Sequence, residues 1–164
     1  MTVESALDQA RELLFAEAAS LDERRWNDWL GLFTPECEYW IPAWRDELTL
    51  VTEPTREISL LYFKGRARLE ERVARITAGL SAASVPLPRT THMVTNVRIA
   101  QRDDARLEVR ANWQVMACRF AQVSTLFGSY EYSIVRDTDR WRIDRKKIVL
   151  MNDVIDTVLD IYHV

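Results

Sequence analysis

Chemistry in this chain would have to come from few residues: two histidines, His92 and His163, two cysteines, Cys37 and Cys118, and whatever carboxylates and tyrosines the fold sets beside them. A mononuclear iron site of the facial type needs two His and one carboxylate to converge, and nothing in the spacing of His92 and His163 demands that. There is no Cys-x2-Cys pair, so the residues do not suggest a zinc or iron–sulfur site within the chain. The G-x-S-x-G, P-loop and G-x-G-x-x-G patterns are absent, and four glycines leave little room for a phosphate cradle. Acid–base chemistry remains. A carboxylate beside a His or Tyr, inside a cone made by a bent sheet and its helices, would be a site. By type the candidates are Asp22, Tyr39, His92, Arg110 and Asp153. Each also has a structural reading, and that reading is the stronger. Asp22 caps a helix, Tyr39 is core with a satisfied hydroxyl, His92 is a hydrogen-bonding strand residue, Arg110 lies on the polar face of a long strand, and Asp153 belongs to a terminal turn or docking tail. On chemistry alone the chain reads as a scaffold.

The elements that would position these residues are organised around Leu21 to Trp44, which holds Trp26, Trp29, Trp40 and Trp44, four of the six tryptophans. Ser5 can cap a first helix running to about Ala19. Its apolar face is Leu7, Ala10, Leu14, Ala18 and Leu21, with Asp8, Arg11, Glu12 and Glu17 on the wetter side. Asp22 can cap a second helix that folds back on the first, with Trp26, Trp29, Leu30 and Phe33 as one stripe. Thr34-Pro35 stops it, because the residue before a proline is pushed out of the α region. Cys37, Tyr39 and Ile41 then alternate with Glu38 and Trp40 as a short strand. Pro42 to Glu57 is a long irregular loop of the kind that serves binding or docking, with Trp44 as core plug or exposed anchor. Ile58 to Phe63 is apolar and too short to type. A third helix from Arg66 to about Ala78 buries Leu69, Val73 and Ile76, and Gly79-Leu80 ends it.

After a connection from Ser81 to Arg89 the period becomes two. Met93, Thr95, Val97 and Ile99 line one face of a strand; His92, Val94, Asn96 and Arg98 line the other. Arg102 to Ala105 has turn composition. Leu107 to Ala117 alternates cleanly and then loses parity near Met116, which predicts a bulge. Gly128 opens the next strand, Asp137-Thr138-Asp139 turns it, and Trp141 to Leu150 is the last, again with a slip of apolar parity. Helices followed by long, bent, hairpin-linked strands indicate an α+β fold, in one domain over residues 1–164 that buries about 70% of its extended surface.

The formal charge is −3 with both signs interspersed, which argues against a nucleic-acid surface. The basic run Arg142 to Lys147 reads as an exposed strand face. No apolar run approaches the ~20 residues of a membrane span. The N-terminus lacks a signal-peptide h-region, so the expected setting is cytoplasmic, with both cysteines as buried thiols.

Several separated blocks, WNDWLGLFTPECEYWIPAW, PTREISLLYF, RTTHMVTNV and WRIDRKKIVLMND, resemble in order the small (β) subunit of bacterial aromatic-ring-hydroxylating dioxygenases, those acting on benzoate, toluate or anthranilate above all. The resemblance covers nearly the whole chain. It implies a cystatin-like, nuclear-transport-factor-like cone, with helices on the concave side of a curved, mostly antiparallel sheet. It also implies assembly with a large α subunit, three of each chain. That partner carries the Rieske 2Fe–2S cluster and the mononuclear iron, and a separate reductase supplies electrons from NADH. The resemblance carries over no catalytic residue. Trp44, Arg45, Arg56, Tyr62 and Arg89 are the candidate subunit contacts by type, because Trp, Tyr and Arg are enriched at interface hot spots. The rival readings are a stand-alone dehydratase or isomerase using His92 and a carboxylate, and a binding module for a small hydrophobic ligand.

Overall fold

The computed structural model describes residues 2–138 and 140–164. Helix α1 spans Val3–Asp22. Its cap is Thr2 rather than Ser5, since the Thr2 hydroxyl accepts from the Ser5 amide at 3.1 Å. The buried stripe is Ala6, Ala10, Leu13, Leu14, Glu17 and Leu21, which is rotated from the expected face and carries Glu17 inside. The helix ends with Arg24 at φ 57, where the amides of Arg24 and Arg25 reach back to Leu21 and Ser20 carbonyls. This left-handed closure satisfies carbonyls that the last turn leaves free. Asp22 is therefore the last residue of α1 and not the cap of the next helix. Helix α2, Trp26–Gly31, has no side-chain cap at all. Phe33 passes into strand β1, Phe33–Pro42, which absorbs Thr34 and Pro35 as well.

Strand β2 is Ser59–Lys64 and helix α3 is Arg66–Thr77, which buries Leu69, Val73 and Ile76 as expected. Gly79 at φ 65 closes α3, with its amide on Ile76 and that of Leu80 on Arg75. The Leu80 side chain stays exposed at 69% and does not fold onto the helix. Strands β3 (Arg89–Arg102), β4 (Arg106–Arg119), β5 (Gln122–Asp137) and β6 (Arg140–Leu150) form an antiparallel meander. The single sheet has the order β2-β1-β6-β5-β4-β3, with β1 parallel to β6. Asp103 makes the β3–β4 turn by accepting from the Ala105 and Arg106 amides, each at 2.8 Å. Of the expected Asp137-Thr138-Asp139 turn, Asp139 lies outside the described residues.

The bulges fall elsewhere than alternation predicts. Strand β4 pairs without interruption through Met116, and its parity is lost only because Phe120 and Ala121, at φ 52 and 61, turn the chain into β5. Two irregularities sit in β3, one between Thr95 and Arg98, where Asn96 has φ 53, and one between Ile99 and Gln101. His92 and Val94 on one side of the first and Val97 and Ile99 on the other therefore share the partly buried face. A further shift, in β6, leaves Asp144 without a cross-strand partner between Ile134–Ile143 and Ser133–Arg145, as the slipped parity of the last strand requires. Gly128 lies in the middle of β5, not at its start. A Cβ there would stand 1.9 Å from the Val149 carbonyl oxygen and 3.2 Å from Trp113 Nε1. The inward residues of the sheet pack against α1 and α2, and the cone is filled by Trp29, Phe33, Tyr39, Trp113, Tyr130, Tyr132 and Ile134.

Candidate functional site

Three polar constellations sit where chemistry was sought. At the end of α1 one Asp22 oxygen accepts from the Thr90 hydroxyl at 2.8 Å and lies 2.6 Å from His92 Nδ1, while the other accepts the His92 amide at 2.9 Å. The His92 side chain is 2% exposed. Burial raises the Asp22 carboxyl, but the hydrogen bonds and charge of His92, with Thr90, outweigh it and hold the group below its ordinary value. An aspartate on Nδ1 leaves Nε2 as the free ring nitrogen, the arrangement a general base needs. His92 Nε2 is buried without a partner among the described residues, and no reactant can reach a nitrogen closed off by packing. A groove of about 880 Å³ runs between α2 and α3, lined by Arg24, Trp26, Leu30, Arg66 and Val73, and does not reach this pair. The contact ties β3 to α1.

The second constellation was not anticipated. Glu17, expected on the wet side of α1, and Lys146, expected on an exposed strand, form a buried ion pair at 2.9 Å with side chains 3% and 1% exposed. The Glu17 carboxylate also accepts from the Tyr132 hydroxyl at 2.7 Å and faces Trp29 Nε1 at 3.4 Å. Lys146 Nζ lies 4.3 Å from the Tyr130 ring centre and 5.5 and 5.6 Å from those of Tyr39 and Tyr132, within cation–π reach. Burial lowers the Lys146 ammonium against the pull of Glu17, and burial raises all three tyrosines, with Glu17 adding to it. The Tyr39 hydroxyl, expected to be satisfied, has no partner among the described residues. Both inward placements had a signal. Glu17 stands four residues before Leu21 and three after Leu14, and Lys146 shares the even parity of Ile148 and Leu150.

The third holds the C-terminal segment. Arg72 grips the Asp160 carboxylate with two nitrogens, one at 2.8 Å. Ser84 and Tyr162 hydroxyls meet at 2.8 Å, and His163 Nδ1 accepts the Asp160 amide at 3.2 Å. Ile161, Tyr162, His163 and Val164 are all buried in consequence. Burial holds His163 down at about 4. Asp153 and Arg110, by contrast, are exposed and belong to none of these clusters.

Each histidine has its Nδ1 engaged, and among the described residues no group of three or more His, Cys, Asp or Glu could hold a metal ion. Cys37 is buried, its thiol pushed up to about 11 by burial, whereas Cys118 is only partly covered and lies 3.2 Å from an Arg89 nitrogen. No helix among the described residues is long and apolar enough to cross a membrane.

The candidate contact residues divide between the sheet's two edges. Trp44 is 39% exposed and donates Nε1 to the Leu150 carbonyl at 2.6 Å. Arg45 is exposed and paired with Glu57, Arg56 is exposed, and the Tyr62 hydroxyl donates to Glu38 at 3.2 Å. Arg89 stands at the start of β3, across the sheet from the other four.

A filled α+β cone built on a curved sheet places the chain in the cystatin-like, nuclear-transport-factor-like class. An NTF2-like protein with a cystatin-like fold from Novosphingobium aromaticivorans superposes with a TM-score of 0.63 over 93% of this chain and 88% of its own at 15% identity, a likeness of fold. Residues 16–157 match the family described as ring hydroxylating beta subunit. The chain is 40% identical over 163 residues to the 2-halobenzoate 1,2-dioxygenase small subunit of Burkholderia cepacia, covering 99% of each. It is 37% identical to the benzoate 1,2-dioxygenase β subunit of Acinetobacter baylyi, covering 97% of this chain and 94% of that one. The β subunit of benzoate 1,2-dioxygenase from Burkholderia mallei superposes with a TM-score of 0.79 at 35% identity, over 94% and 95% of the two chains. The chain belongs to the β-subunit family of aromatic-ring-hydroxylating dioxygenases. It is one part of an oxidoreductase, and a large α subunit is its partner.

Proposed function

We propose that this chain is a non-catalytic, structural β subunit, one domain over residues 1–164, of an oxygenase that dihydroxylates an aromatic carboxylate such as a benzoate, toluate or anthranilate. The reading is carried by 40% identity over the full length to a halobenzoate dioxygenase small subunit. The large subunit holds the Rieske 2Fe–2S cluster and the mononuclear iron, a reductase feeds it electrons from NADH in the cytoplasm, and the β chains brace a three-plus-three assembly. Trp44, Arg45, Arg56, Tyr62 and Arg89 contribute contacts. Co-expression with the large subunit tests this. A red-brown complex with oxygen uptake on one of these acids, lost when the β chain is omitted, is the expected result. An active, correctly assembled large subunit without the β chain would refute the structural role.

The stand-alone isomerase or dehydratase reading has the 2.6 Å Asp22–His92 contact in its favour and the packed interior against it. His92→Ala separates the two. A structural histidine lowers thermal stability and leaves turnover per assembled complex unchanged, whereas a catalytic one removes an activity of the isolated chain.

A further inference from the structure

We propose that the sheet face turned away from the helices carries two complementary patches by which one copy of this chain binds the next, head to tail, in a closed ring. The inference rests on the self-association proposed above and assigns its surfaces.

One patch is the loop between β1 and β2. It folds over outward-facing Trp40 and Val149, leaving them 6% and 5% exposed, with its own Val51 buried. Its tip is Asp46-Glu47-Leu48. The Asp46 carboxylate accepts the Leu48 and Thr49 amides at 2.9 and 2.8 Å, so the tip is held in shape. Leu48, just after Asp46 and Glu47, is 91% exposed, a large apolar side chain beside two acids that enter no ion pair among the described residues.

The other patch lies at the far edge. Arg98 of β3 stands directly opposite Arg110 of β4 on the outward face. Neither enters an ion pair among the described residues, and the nearest cross-strand acid, Glu131, is committed to Lys147 at 3.5 Å. Like charges placed opposite each other destabilise a sheet, so this pair costs the isolated chain and calls for an outside anion. Along the same face Met93, Gln114 and Phe127 form a cross-strand row, with Met93 and Phe127 37% and 48% exposed and Met116 beside them 43% exposed. Arg110 and Gln114 are about 13 Å apart at ~3.3 Å per residue, within reach of a tip that carries both acids and a leucine.

Each patch supplies what the other lacks: two acids and a free leucine against two arginines and an uncovered apolar row. With β6 and β5 between β1 and β4, the strand that carries the acidic loop and the strand that carries Arg110 lie roughly 15 Å apart at ~4.8 Å per strand, and no ion pair among the described residues joins the two patches. A contact between two different patches is heterologous, and such contacts close into rings when the rotation allows. Charge complementarity within a single sequence thus selects a second copy as the occupant.

Sedimentation of the full chain, alone and co-expressed with the large subunit, tests this with Glu47→Arg, Arg110→Glu and both together. All replaced side chains are exposed, so unchanged circular dichroism and Tm certify the fold. Each single variant should weaken self-association about tenfold or more, the double variant should restore it, and added salt should weaken the wild type. Self-association that neither single variant disturbs overturns the patches while the assembly reading stands. Loss in the single variants without recovery in the double overturns their pairing. Variants that still self-associate but lose the large subunit make that subunit the occupant, and the proposal falls. A wild type that remains single, alone and in complex, refutes the self-association reading itself.

Discussion

At the scale of single residues the telling group is Lys146. A buried ion pair costs desolvation that its attraction barely repays, whereas removing one partner strands the other charge. Lys146→Met alone should therefore destabilise the fold by about 3–5 kcal/mol in urea titrations, and Glu17→Gln with Lys146→Met should recover most of it. The amide keeps an acceptor for the Tyr132 hydroxyl. A double variant no better than the single would show that the ammonium is held by the three tyrosine rings rather than by Glu17. His163 gives a pH signature. Its folded value of about 4 lies below the ordinary 6.5, so between those values the unfolded chain binds the extra proton and stability must rise with pH. Its contribution is complete above about 6.5 and is lost as pH falls through about 4. The gap amounts to about 3 kcal/mol by linkage. Melting temperatures of the wild type should drop across that window, and those of His163→Gln should lose that part of the slope. Asp22, also held below its ordinary value, adds an acid-side loss of the same sign at lower pH.

At the scale of elements, close approach and long-range clasps decide the architecture. Gly128 lets β5 meet Val149 of β6, where any Cβ would collide with a backbone oxygen. Gly128→Ala should cost more than the ~1–3 kcal/mol of ordinary overpacking, and soluble yield with thermal melting reads it. Asp22 ties α1 to β3 with three contacts. Asp22→Ala leaves the His92 amide and the Thr90 hydroxyl short of an acceptor and should cost about 1–3 kcal/mol, with faster amide exchange concentrated at the start of β3. A small global change spread evenly over the sheet would deny it the role of clasp.

At the scale of the whole molecule, the cone that could have enclosed an active site is packed with aromatic rings, and its charged groups satisfy one another. What remains available is the outer face of the sheet and the loop over its β1–β6 side. Their half-exposed Trp44, Met93, Phe127 and Met116 are the side chains a subunit interface buries. On the structural reading proposed above, substitutions inside the packed polar interior should change how much complex forms rather than how fast each complex turns over.

Much of this was legible in the residues. Periodicity placed α3 and its buried Leu69, Val73 and Ile76, Gly79 marked its end, and the alternation of Leu107 to Ala117 placed β4. The ordered blocks from Trp26 to Asp153 pointed to the family. These signals are local or collective, and a single chain carries them without its partners. Other outcomes depended on contacts between residues far apart in sequence. Whether Asp22 caps α2 or clasps His92 is settled only when β3 arrives 70 residues later. An extra residue at Asn96 or Asp144 reverses which side chains of its strand enter the core; parity with Ile148 and Leu150 could turn Lys146 inward, but only tertiary pairing set it beside Glu17. Sequence periodicity says that a face is buried; only tertiary pairing says which face it is and what charge must meet there.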